Sequence, residues 1–127
     1  MAMYSHMMVG SNDIERSKKF YDATFTAIGG KPGIQDDKGR LIYMHNGSMF
    51  LVTKPIDGEA ATPGNGMTIG IAMASPEQAD AWHSAGVANG GKAIEDPPGV
   101  RDGGSMKMYL AYLRDPDGNK LCALKVV

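Results

Sequence analysis

The apolar and polar positions of this chain change period several times, and the changes mark out its elements. Tyr4 to Val9 reads as a strand. Asn12 with Glu15 three residues on has the form of a helix-capping box, and Ile14, Ser17, Tyr21, Phe25 and Ile28 recur at helical spacing, with Phe20 beside them. Gly29-Gly30 stops that helix. Three short strands are predicted next, near Lys31 to Gln35, Leu41 to His45 and Ser48 to Thr53, with Asp37-Lys38-Gly39 and Asn46-Gly47 as the turns between them.

The same order then recurs. Met67 to Met73 reads as a strand. Ser75-Pro76-Glu77-Gln78 opens a second helix, with Ser75 as cap and Pro76 in the first turn. Ala79, Trp82 and Ala85 give its inner face, and Gly86 falls inside the periodic stretch, where glycine costs about 1 kcal/mol against alanine. Gly90-Gly91 ends it. Strands near Lys92 to Glu95, Met108 to Arg114 and Lys120 to Val126 complete the second half, and Pro97 to Met106 reads as a loop. Strand, helix and three strands are thus written twice, an internal repeat of roughly 60 residues. The fold expected is α+β: two tandem βαβββ modules forming one domain over residues 1–127, with module one at 1–54, a Pro/Gly-rich linker at 55–66 and module two at 67–127.

Composition narrows the function. A net charge of −1 over 127 residues supplies no field to attract nucleic acid or an anionic membrane, and no apolar run is long enough to span a bilayer. No leader segment is visible at the start. The single cysteine, Cys122, has no internal partner, which makes a reducing cytoplasm the expected compartment. Ten methionines are many for this length. Most fall in or beside predicted strands, either as core filling or as the lining of an adaptable apolar cavity.

The most informative stretch runs from Tyr112 to Cys122. Pro116, Asp117 and Gly118 close a tight hairpin between two strands. With the Ser5 to Gly10 strand, the capped helix carrying Phe20-Tyr21-Asp22, and Gly64-Asn65-Gly66 midway, it resembles the vicinal-oxygen-chelate superfamily, which includes glyoxalase I, extradiol dioxygenases, fosfomycin-resistance enzymes and bleomycin-binding proteins. The resemblance spans nearly the whole chain. It implies a curved mixed sheet around a cleft, helices on the outer face, and a homodimer.

Metal-using relatives carry His, Glu, His and Glu at four inward-facing positions. Matched strand by strand, those positions fall here on His6, Leu51, Thr68 and Cys122. Only His6 keeps the expected type, so no resident metal or other cofactor is expected. That weighs against glyoxalase and dioxygenase chemistry, both of which need the metal. Strand alternation places His6 with Met8, Met49 with Leu51, Lys120 with Cys122, and Met108 with Tyr112 on the cleft side, together with Thr68. Tyr112 matches a cleft tyrosine of fosfomycin-resistance relatives. Arg101, in the loop before the seventh strand, is a candidate to hold an anionic group, or else part of a plain connector. Asp115 to Gly118 are assigned to the turn, and His45 and His83 to the surface or a helix face.

The reading that follows is a small-molecule-binding protein with a degenerate metal site and an apolar, methionine-lined cleft. Two alternatives stay open: a metal-dependent lyase or isomerase completed by nonstandard ligands, and a non-catalytic dimeric domain with a vestigial cleft. Neither the ligand nor catalysis itself is legible from the residues.

Overall fold

Asp13, not Asn12, caps the first helix: its side chain accepts the Arg16 N–H at 3.1 Å, and helix α1 runs Ile14–Ala27. Asn12 has a different task. Its amide exchanges two hydrogen bonds with the backbone of Ala61, donating to the carbonyl at 3.1 Å and accepting from the N–H at 2.7 Å, and so ties the linker down beside the helix start. Two neighbouring residues with the same capping chemistry cannot be ranked from sequence, and here the second won. Ser75 caps the second helix, α2 (Pro76–Ala88), as expected, but Gln78 reaches the N–H of Ala74 rather than that of the cap.

The computed structural model describes residues 3–127. Strands β1 (His6–Gly10), β2 (Ile34–Gln35), β3 (Leu41–His45) and β4 (Ser48–Thr53) form one sheet in the order β1-β4-β3-β2. Strands β5 (Ile69–Ala72), β6 (Lys92–Ala93), β7 (Gly99–Asp102), β8 (Lys107–Arg114) and β9 (Lys120–Val126) form the other, in the order β5-β9-β8-β6 with β7 also on β8. In each half the first strand runs parallel to the last, and the remaining pairings are antiparallel. The fold is α+β with the glyoxalase-type arrangement of modules, its sheet built as two hydrogen-bonded halves.

One element departs from the expected repeat. The Pro97 to Met106 segment is not all loop: β7 pairs with β8, Gly99 opposite Leu110 and Asp102 opposite Lys107. Strands β6 and β7 together edge β8, interrupted where Glu95 takes a left-handed conformation at φ 58°. The second half therefore has its third strand broken in two. Prolines and glycines at the break hide the strand from a pattern reading.

The core lies between the helices and one face of each sheet. Phe20, Tyr21 and Phe25 of α1 and Trp82 of α2 are buried against Tyr43, Val52, Leu113 and Leu121. The helices pack on each other through Gly86, where an added Cβ would stand 2.3 Å from Leu113 Cδ1, 3.2 Å from Phe20 Cε1 and 3.3 Å from Thr24 Cγ2. The glycine that looked like a weakness in the helix is what lets the two halves approach.

A polar seam closes the same junction. Asp115, buried at the start of the last hairpin, accepts from the Tyr21 hydroxyl, from the N–H groups of Asp117 and Asn119, and from the Asn119 amide. Asp117 accepts from Arg16, from Ser17 and from the Asn12 N–H, while Asn119 donates to the Gly10 carbonyl. The turn of the second half is thus bolted to the strand–helix junction of the first. No helix is long and apolar enough to cross a membrane among the described residues.

Candidate functional site

The sheet face turned away from the helices is set by strand alternation. Val9, Phe50, Ile69 and Leu121 face the core, so His6, Met8, Met49, Leu51, Gly70 and Cys122 face the other way. Register aligns them: His6 opposite Met49, Met8 opposite Leu51, Gly70 opposite Cys122, and Tyr112 opposite Cys122. The methionines are mostly not core. Met73 is buried, while Met8, Met44, Met67 and Met106 are exposed, so core filling accounts for little of the methionine content.

Where the first strands of the two halves face each other, a cavity of about 430 Å³ opens. Its polar lining includes His6, Ser5, His45, Asn46 and Thr68, and its apolar lining Met7, Phe25, Phe50, Ile69 and Ile71. Met49 and Gly70 also line it. A Cβ built on Gly70 would meet nothing within 4 Å, so that residue leaves open space beside it. His6 Nδ1 lies 2.8 Å from Ser5 Oγ, and His45 Nε2 lies 3.2 Å from Asn46 Nδ2. The Phe25 ring sits 6.0 Å from the His45 ring.

His45, expected on the surface or a helix face, lies in strand β3 and is half-buried in this wall. No local pattern marks it, because the cavity joins strands distant in sequence. His83 is also half-buried. Burial lowers its pKa, against the opposing effects of a hydrogen bond with the Tyr112 backbone and the charge of Asp80.

The remaining candidates lie elsewhere. Met8, Leu51, Met108, Tyr112 and Cys122 are on the cleft side of the sheets but do not line this cavity. His6 and Thr68 therefore share a space that Cys122 does not enter. Burial pushes the Cys122 thiol up, only partly offset by a hydrogen bond with Tyr112, and Glu95 adds to the rise. Tyr112 is likewise raised, first by burial and then by its thiol neighbour. Lys120 pairs with Glu95 and stands 5.1 Å above the Tyr112 ring. Arg101 is occupied by its own segment. It donates to the carbonyls of Gly99 at 3.1 Å, Asp96 at 2.9 Å and Pro97 at 3.1 Å, and so fixes the bend between β6 and β7.

The four residues matched by resemblance to metal-ligand positions present an exposed imidazole (His6), an alkyl chain (Leu51), an exposed hydroxyl (Thr68) and a buried thiol (Cys122). Among the described residues no three His, Cys, Asp or Glu side chains converge as a ligand group.

The family model described as Glyoxalase/Bleomycin resistance protein/Dioxygenase superfamily matches residues 4–123. The crystal structure of a glyoxalase/bleomycin resistance protein from Albidiferax ferrireducens T118 is 57% identical, with TM-score 0.93, over 97% of this chain and 98% of that one. A glyoxalase-related enzyme from Fulvimarina pelagi is 20% identical with TM-score 0.72, over 98% of this chain and 88% of that one. A glyoxalase/bleomycin resistance protein/dioxygenase family enzyme from Burkholderia phytofirmans PsJN is 18% identical with TM-score 0.72, over 97% and 98%. The search of curated proteins gives no match. With the family model covering almost its whole length, this chain belongs to the glyoxalase/bleomycin resistance protein/dioxygenase superfamily.

Proposed function

We propose that this protein binds a small, largely apolar molecule in the cavity between β1 and β5, without a resident metal. The observation that carries the reading is the cavity itself. Its volume of about 430 Å³ and its aromatic and aliphatic walls, with a few hydroxyl, amide and imidazole groups at hand, are the make-up of a small-molecule site. The donor set at the family's four ligand positions does not suit a divalent ion: Leu51 offers no lone pair, and Cys122 is held as the neutral thiol. The metal-dependent lyase or isomerase is therefore the weaker reading.

The exposed methionines Met8 and Met44 on the open sheet face favour a homodimer in which that face is covered. The unpaired cysteine suits a reducing, cytoplasmic setting.

The test is a protein-detected NMR screen with aromatic and thioether compounds. Binding in the cavity shifts the amides of Ser5 to Met7 and of Ile69 to Ala72 together. A flat response across the library contradicts the proposal and leaves the vestigial cleft.

A further inference from the structure

Thr68 lines two spaces, the apolar cavity and a second hollow of about 480 Å³ beside it. The second is of different character. Arg114 and Lys120 line it together with the Gly64-Asn65-Gly66 turn and Gly118. Arg114 and Lys120 are directly opposite in the β8–β9 register, so two like charges share one face at the mouth of the hairpin, an arrangement that is unfavourable unless something offsets it. Glu95 offsets Lys120. Arg114 donates to the Gly118 carbonyl at 2.7 Å, but among the described residues no carboxylate pairs with it. The N–H groups of Asn65 and Gly66 also have no partner within the described chain. A half-buried guanidinium with a cationic neighbour and unengaged backbone donors nearby is the chemistry that takes an oxyanion.

We propose that this hollow seats an acidic group, a carboxylate or phosphate, on the ligand whose apolar body fills the neighbouring cavity, with Thr68 at the junction. This rests on the small-molecule reading of the cavity. The ligand class is then an amphipathic acid: a compact apolar body joined to one oxyanion. Guanidinium and ammonium donors to an anion are each strong enough to favour the acid over its neutral amide about tenfold.

The test is calorimetric titration of phenylacetate, phenylbutyrate and phenylhexanoate beside their amides, with inorganic phosphate followed by NMR. At least one acid is expected to bind about tenfold tighter than its amide. Arg114→Gln and Lys120→Met should each erode that preference by weakening the acid more than the amide, and Arg114→Lys should restore most of it. Because Arg114 also braces the hairpin, Lys120→Met, whose one ion-pair partner among the described residues is the exposed Glu95, is the variant that separates binding from folding. Equal binding of acid and amide, or a preference that survives both substitutions, overturns the acid seat and leaves the cavity reading intact. If no acid or amide binds, the cavity reading fails instead. Phosphate shifts at Gly66 and Gly118 would then support an anion site standing alone, and their absence would overturn it.

Discussion

The Tyr21 hydroxyl donates to Asp115 Oδ2 at 2.5 Å, joining the first helix to the last hairpin through a bond that is buried at both ends. Burial, with the Asp115 carboxylate next, pushes the tyrosine well above its ordinary pKa, so it remains a donor across the working range. Tyr21→Phe should cost about 2 kcal/mol, since a buried carboxylate loses a partner. Asp115→Ala should cost more, about 3 kcal/mol, because the hydroxyl, two N–H groups and the Asn119 amide all lose this acceptor. Urea unfolding of both variants checks the order; equal stability of Tyr21→Phe and the parent would mean that the bond contributes nothing.

Gly86→Ala sets two effects against each other. Helix propensity favours alanine by about 1 kcal/mol. Overpacking a filled core costs about 1–3 kcal/mol, and the Leu113 side chain that must yield is fully buried. The variant should therefore be less stable by about 1 kcal/mol. A higher melting temperature would show that the helices separate more easily than the packing implies.

Stability should fall at both ends of the pH scale. Burial alone would raise Asp22, but hydrogen bonds from Lys18, the Gly33 N–H and Tyr43 outweigh it and hold the carboxyl below its usual value. A depressed carboxylate contributes stability above the unfolded pKa of about 4 and loses it as pH falls through the folded one. Tyr21 and Tyr43 are raised, by burial first and then by the neighbouring carboxylates Asp115 and Asp22. Their contribution is complete below about pH 10 and is lost as pH rises through the higher folded values. Asp22→Asn should flatten the acid limb of a melting-temperature profile and also soften the alkaline limb, because Asp22 helps raise Tyr43, while Tyr21 keeps its own share of that limb. An unchanged acid limb would remove Asp22 from the account.

Cys122 should alkylate slowly. Burial raises its pKa and leaves little of the reactive thiolate at pH 8. Iodoacetamide labelling followed by mass spectrometry should run at least about tenfold slower in the native protein than in urea. Equal rates would mean that the thiol is open to solvent.

Much of the fold was legible because local signals agree with tertiary need. The Leu41 to His45, Ser48 to Thr53 and Lys120 to Val126 strands stand where alternation and turn chemistry put them. The helix cap shifted by one residue because Asn12 was drawn to Ala61, a partner that only the folded linker supplies. Strand β7 was hidden by the prolines and glycines around it. The site was less legible. Alternation gives the cleft side of each strand, but the cavity lies between two strand edges and takes Phe25, Phe50, Ile69 and Ile71 from the core side as well. No periodicity reports where two edges part, which is why His45 was missed and why Cys122 was grouped with His6 and Thr68.

The most direct measurement is the change in unfolding temperature with cavity-sized apolar compounds in the presence of a chelator, parent beside Gly70→Phe. Gly70 lines the cavity and a Cβ there meets nothing within 4 Å, so a phenyl ring at this position is expected to take up part of the space. A compound at about a hundred times its dissociation constant should stabilise the parent by about 2.7 kcal/mol, chelator or not, and leave Gly70→Phe unshifted. Stabilisation that vanishes with the chelator, or that persists in Gly70→Phe, would contradict the metal-free cavity.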